Sequence, residues 1–186
     1  MFIQTEQTPN PATLKFLPGR QVMSSGTANF TSAEAAGRRS PLAERLFALP
    51  EVTGVFLGAD FVTVTKGGDA DWQQLKPAIL AEIMEHFTSD RPVLFPAAAD
   101  SGVPEAASED EDEVVSQIKE LLETRVRPAV AQDGGDIIFH GYDEGVVYLH
   151  MQGACSGCPS SMATLKAGIE NMLRHYIPEV IEVRAI

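Results

Sequence analysis

The sequence predicts an α/β (α+β) chain of two small domains joined by an acidic linker. Three observations lead there. Residues 97–113 hold seven acidic side chains and no basic one, which is −7 of a formal net charge of −12 over 186 residues. On both sides of that segment, short β-branched or aromatic runs alternate with apolar stripes at helical spacing. The only two cysteines, Cys155 and Cys158, stand where a strand run gives way to a helix. Domains are therefore expected over 1–96 and 114–186. The segment 97–113 between them has Pro, Gly, Ser and small residues with almost nothing to bury. It reads as a solvated, self-repelling linker, with an acidic docking tail for a basic partner as the alternative.

In the first domain, Phe2–Glu6 and Thr13–Leu17 read as strands separated by the Pro9-Asn10-Pro11 turn. Ser40-Pro41 is a helix start, a hydroxyl N-cap followed by proline at the first helical position. Leu42, Leu46 and Leu49 form that helix's apolar face, and Pro50 stops it. Val52–Leu57 and Phe61–Thr65 predict a hairpin around Gly58-Ala59-Asp60. A helix follows from about Asp71 to Phe87, with Leu75, Ile79, Ile83 and Phe87 in register. His86 is expected on its polar face. The domain has no cysteine and offers no ligand set for a soft metal.

The second domain reads helix, strand, strand, CxxC loop, helix, strand. Its first helix carries Val114, Ile118, Leu121, Leu122 and Val126 on one face, and Pro128 should kink or restart it. Gly134 and Gly135 suit a left-handed cap and a turn into the next strand. Asp133 and Asp136 fall short of a calcium loop and are read as structural. Asp136–Gly141 and Val146–Gly153 predict a hairpin with Ile137, Phe139, Val147, Leu149 and Met151 on one face. His140, Tyr148 and His150 fall on the other, read as a half-solvated sheet face rather than a metal site. The last helix, about Pro159 to Tyr176, shows a stripe of Met162, Leu165, Ile169, Met172, Leu173 and Tyr176, all expected in the core. His175 in its last turn complements the helix dipole. Pro178 ends the helix and Val180–Ile186 closes the fold as a strand.

Composition limits the function. The acidic balance argues against nucleic acid, which needs a basic footprint. No apolar run approaches the ~20 residues that span a bilayer. The first residues show neither a secretory nor an Arg-rich amphipathic leader, so a cytoplasmic, bacterial protein is expected ahead of one in the mitochondrial matrix. Two cysteines two residues apart exclude a long-range disulfide framework and fit a reducing compartment.

Cys155 and Cys158 carry the chemistry. Cys158-Pro159 repeats the logic of a helix start, placing both sulfurs near the positive end of the final helix. That setting should lower the thiol pKa and give a reactive, exposed pair. Gly153 and Gly157 let backbone approach the sulfurs, and Ser156, Ser160 and Ser161 add small donors. A lone CxxC fits a thioredoxin-type redox centre, half of a metal site, or two inert thiols. Redox motifs follow the strand of a βαβ pattern, whereas an antiparallel hairpin precedes this one. Two thiolates cannot enclose a metal, since zinc and iron–sulfur sites usually take four protein ligands.

Two stretches resemble a known family. Val126-Arg-Pro-Ala-Val-Ala-Gln-Asp-Gly-Gly-Asp136, followed by Gly153-Ala-Cys-Ser-Gly-Cys-Pro-Ser-Ser161 and the 162–176 helix, resembles the NifU C-terminal-like domain of Nfu-type iron–sulfur cluster proteins. Residues 2–16, Phe-Ile-Gln-Thr-Glu-Gln-Thr-Pro-Asn-Pro-Ala-Thr-Leu-Lys-Phe, are similar to the N-terminal domain of the same proteins. The resemblance implies Cys155 and Cys158 as iron ligands, with two chains each supplying a CxxC to hold one [4Fe–4S] cluster per dimer. Ligand number does not separate [4Fe–4S] from [2Fe–2S]; the resemblance favours the former. It further implies a non-enzymatic scaffold or carrier that takes a cluster from an upstream donor and hands it to recipient apo-proteins. The first domain is then assigned to partner recognition. A thiol–disulfide oxidoreductase and a zinc-bridged dimer are the alternatives.

Overall fold

A computed structural model of the chain describes residues 1–96, 113–156 and 159–186, with side chains from 162 onward in the last stretch. The chain divides into two compact units, Met1–Pro104 and Glu105–Ile186. The linker expected over 97–113 lies, except for its last residue, outside the described residues. So does Cys158.

The first unit is built on a five-stranded sheet, β1 (Gln4–Gln7), β2 (Thr13–Leu17), β3 (Ala28–Phe30), β4 (Val52–Leu57) and β5 (Val62–Lys66), in the order β1-β2-β5-β4-β3. Every neighbouring pair is antiparallel. The first strand starts two residues later than expected, and Phe2 is 80% exposed. Among the described residues three α-helices accompany the sheet: α1 (Ala33–Arg39), α2 (Pro41–Phe47) and α3 (Trp72–Thr88). Phe16, Phe30, Leu42, Leu46, Leu57, Ile79 and Ile83 are fully buried in one cluster. The sequence reading missed β3 and α1.

Ser40 joins two helices with one buried residue. Its N–H donates to Ala36 O and closes α1, while its Oγ accepts from Ala43 N and caps α2. The same hydroxyl donates to Val93 O at 2.6 Å, and Phe95 N donates to Arg39 O at 2.9 Å. The segment after α3 is thereby strapped across the α1–α2 junction. His86 is not on a polar face as expected: it is fully buried, and neither ring nitrogen has a hydrogen-bond partner among the described residues.

The second unit opens with α4 (Glu113–Leu121), a π-helical turn over Leu122–Val126, and α5 (Arg127–Gln132). Pro128 explains the π turn. Its ring lacks an N–H and crowds the carbonyl four residues back, so the helix widens before it, with Arg127 N donating to Leu122 O. Gly134, at φ +80°, then turns the chain into β6 (Gly135–Asp143), which pairs antiparallel with β7 (Val146–Gly153). The hairpin turn takes Glu144 and Gly145 through positive φ, as a tight two-residue loop requires. A bulge after Phe139 inserts His140 and brings Tyr142 opposite Val147, packed on the core. His140 and His150 are exposed, as expected for the outer face, and Tyr148 is half-buried.

The long helix α6 (Pro159–Tyr176) then leads to β8 (Glu182–Ala185), shorter than the strand expected over 180–186. The sheet order is β6-β7-β8, and β8 runs parallel to β7. Gly145 O accepts from both Ile181 N and Glu182 N and seats β8, and a side chain at Gly145 would meet Ile181 Cδ1 at 2.7 Å. Along α6, Ile169 and Leu173 are buried, and Met162, Leu165 and Met172 half-buried. Tyr176 corrects the expected stripe: it is 48% exposed, with the Arg125 guanidinium 5.1 Å from its ring centre. Among the described residues no helix is long and apolar enough to cross a membrane.

His86 gives the first unit a pH dependence. Burial holds its imidazole below the ordinary value, the Arg45 and Arg91 guanidiniums add to that, and the backbone of Arg91 and Pro92 offsets it in part. The unfolded chain takes up the proton near pH ~6.5, the folded chain only at lower pH. Stability present above that value is therefore lost as pH falls. Denaturant unfolding followed by Trp72, the only tryptophan, should show the first unit weakening between about pH 7 and 5. In His86→Leu this slope should flatten; an unchanged slope would assign it to other groups.

Candidate metal centre

Cys155 lies just beyond the C-terminal end of β7, in a turn shaped by two glycines and a serine. Gly153, at φ +64°, ends the strand in a conformation that side chains disfavour. Ser156 N and Ser156 Oγ both donate to Gly153 O, at 3.1 and 2.9 Å, and close the turn around Cys155. Ala154 N donates to Gly134 O at 3.2 Å, which fastens the turn to the entrance of β6.

The floor of the turn is Gly135. A Cβ there would stand 2.6 Å from Cys155 Sγ and 2.7 Å from Gln152 O. The close approach therefore needs glycine. Next along β6, the Asp136 carboxylate is buried and accepts from Arg127 Nε and Nη2 at 2.9 Å each, and from Ile137 N at 2.8 Å. The two aspartates read as structural include one that is so: Asp136 anchors a fork-to-fork ion pair. Asp133 is exposed.

The thiol itself differs from expectation. Cys155 is only 6% exposed and belongs to the core cluster with Val130, Ile137, Met151 and Ile169. Its pKa is pushed up to about 12, chiefly by burial and further by the Asp133 and Asp136 carboxylates. The expected exposed thiol with a lowered pKa is therefore corrected at Cys155, because burial withdraws it from water and two carboxylates oppose its ionisation. Such a thiol is protonated at neutral pH and a poor resting nucleophile. A metal ion can still take it, since binding displaces the proton and brings its own positive charge into the site.

The setting of the motif also differs from expectation. Because β7 and β8 are parallel, β7, the Cys155 turn, α6 and β8 form a βαβ unit. The preceding hairpin thus does not separate redox from metal chemistry, and sequence gave no strand direction from which to see this. Among the described residues no group of three or more His, Cys, Asp or Glu side chains is placed to hold a metal ion.

The Gly135 contact yields a direct test. Gly135→Ala forces Sγ or the backbone of Gln152 to move, an overpacking cost of about 1–3 kcal/mol. In a unit of this size each kcal/mol lowers the thermal midpoint by roughly 4–8 °C. Calorimetry of the full chain should show such a fall, and an unchanged profile would mean the turn yields freely.

Comparison with known proteins places the chain in a family. The family model described as "Scaffold protein Nfu/NifU N terminal" matches residues 3–90, and that described as "NifU-like domain" matches residues 118–184. The NFU1 iron-sulfur cluster scaffold homolog, mitochondrial, of Homo sapiens is 53% identical over 187 residues, covering 100% of this chain and 72% of that protein. NifU-like protein 4, mitochondrial, of Arabidopsis thaliana is 53% identical over 182 residues, covering 97% of this chain and 64% of that protein. The chain thus spans about two thirds of the length of these relatives. Among solved structures, a NifU-like protein from Saccharomyces cerevisiae matches with a TM-score of 0.47 and 26% identity, covering 52% of this chain and 86% of that one. The chain belongs to the Nfu/NifU-like iron–sulfur scaffold family, with an N-terminal Nfu domain followed by a NifU-like domain.

Proposed function

We propose that the chain is a carrier of iron–sulfur clusters: Cys155 and Cys158 of two chains together hold one [4Fe–4S] cluster, which then passes to apo-proteins. The observation that carries this reading is the family match across both domains, joined to a donor set of two thiols per chain. Four thiolates complete a cluster, so two chains must meet. The cluster is cargo, and no substrate is turned over.

The chain's own residues suit this task. The turn at Gly153–Ser156 holds Cys155 just beyond the end of β7. The Gly135 floor leaves no room for a bulkier neighbour. A ligand set shared between chains is broken by separating them, which provides a route of release. The second unit, Glu105–Ile186, exceeds the size below which folds depend on metal. It stays folded after the cluster leaves, and the unloaded chain is then monomeric, with loading driving dimerisation. We assign the first domain to recognition of donors or recipients. The named relatives are mitochondrial proteins; for this chain the thiol ligands call for a reducing compartment, whether bacterial cytoplasm or organelle matrix.

One observation favours a second reading, thiol–disulfide exchange by the same pair: the βαβ setting of the motif is the one redox motifs use. The burial of Cys155 and its raised pKa count against it.

Anaerobic reconstitution with iron and sulfide separates the two. The carrier reading expects about four iron and four sulfide per two chains, a dimer by light scattering, and loss of both in Cys155→Ser. A colourless monomer that cycles its thiols catalytically would establish the second reading. Deleting residues 1–96 should leave loading intact and slow delivery to recipients; loss of loading would contradict the division of labour.

A further inference from the structure

Beneath the Cys155 turn lies an ion pair that iron ligation does not use. Arg127 leaves the chain where the π turn meets α5, and Asp136 is the second residue of β6. Their bidentate bond spans the turn through Asp133 and Gly134, and Arg127 Nη1 also donates to Glu123 at 2.6 Å. Asp136 is 3% exposed, and its Oδ1 additionally holds Ile137 N. The entrance of β6 is therefore fixed from two sides. On its upper side that same entrance supports the site: Gly135 pairs with Gly153, Asp136 pairs with Gln152, and Gly134 O receives Ala154 N. The backbone against which Sγ rests is Gly135, one residue from the buried carboxylate.

We propose that Arg127 and Asp136 are positioning residues for Cys155. Their pair holds Gly135 and Gly134 O in place under the turn, and so sets how tightly the thiol is kept in the core before loading and how readily the loaded turn gives iron up. This rests on the reading of Cys155 as a ligand. The fork geometry matters as well as the charge, because a lysine ammonium cannot bridge both carboxylate oxygens in one plane. Glu123 is exposed and meets Arg127 through Nη1, the nitrogen that Asp136 does not use, so its removal leaves the fork intact.

The test uses the full chain with Arg127→Gln, Arg127→Lys, Asp136→Asn and, as a control, Glu123→Gln. Three quantities are read well below each variant's thermal midpoint. They are the rate of Cys155 alkylation by iodoacetamide in the unloaded chain, the rate at which a ferrous chelator strips the anaerobically loaded chain, and the visible circular dichroism of the bound cluster. We expect alkylation of Cys155 to rise about tenfold in Arg127→Gln and Asp136→Asn, the factor that losing about 1.4 kcal/mol of restraint produces. Stripping should accelerate in parallel and the dichroism should change, with Arg127→Lys intermediate and Glu123→Gln unchanged. A fall in thermal midpoint with wild-type alkylation, stripping and dichroism would overturn the proposal and leave the pair a general brace. Should the neutral variants fail to fold, Arg127→Lys keeps the charge and decides the question through the same three readouts. Normal loading of Cys155→Ser would sink the ligand reading by itself, while the alkylation rates would still decide whether the pair positions the thiol.

Discussion

A carboxylate taken out of water needs a cation and hydrogen-bond donors to offset the loss of solvent, and Asp136 has Arg127 and Ile137 N. Much of the second unit follows from that demand. The guanidinium has to arrive with both nitrogens in the plane of the carboxylate, so the helix that carries it must leave at a fixed phase. Pro128 and the π turn before it set that phase. The turn into β6 must be short, and Gly134 makes it so through positive φ. Once β6 begins in the right place, Gly135 can lie directly under Cys155 and the two ends of the hairpin close on each other. Removing one partner of a buried pair typically costs about 3–5 kcal/mol; the Arg127 side chain is 32% exposed, so solvent screens part of that cost here.

The same arrangement gives the thiol a resting state unlike that of a redox enzyme. Cys155 in this structure is a core residue, surrounded by aliphatic side chains and two acidic neighbours that oppose its ionisation. A pair built to attack disulfides would gain from a lowered pKa and an open face. A pair built to receive iron does not need to be ionised beforehand, because the metal supplies the charge that the protein withholds. Burial also keeps that sulfur away from oxidants.

Much of this architecture was legible in the residues. Ser40-Pro41 announced its helix, Leu75, Ile79 and Ile83 announced theirs, and the glycines after Asp133 marked the turn that the structure contains. What escaped lay in short or unpatterned segments. The strand Ala28–Phe30 is three residues long, and the helix Ala33–Arg39 buries only Ala36 and contains Gly37, so neither shows a period. The rest escaped because it is decided at long range. His86 is buried with the Arg45 guanidinium of α2 near it, a neighbour 41 residues away that its helical spacing does not reveal. The burial of Cys155 depends on Gly135, 20 residues earlier in the chain. The parallel direction of β8 depends on how far α6 travels before the chain turns back. Tyr176 fits the helical stripe by spacing, yet it falls in the last turn and faces Arg125 and water.

The central claim is that one cluster is shared by the Cys155 and Cys158 thiols of two chains. Native mass spectrometry of the anaerobically reconstituted protein tests it most directly, because it weighs chains and cluster together. The account predicts a dimer carrying a single four-iron, four-sulfide cluster and an unloaded monomer beside it. A cluster-bearing monomer, or a dimer that retains its mass after the cluster is stripped, would contradict it.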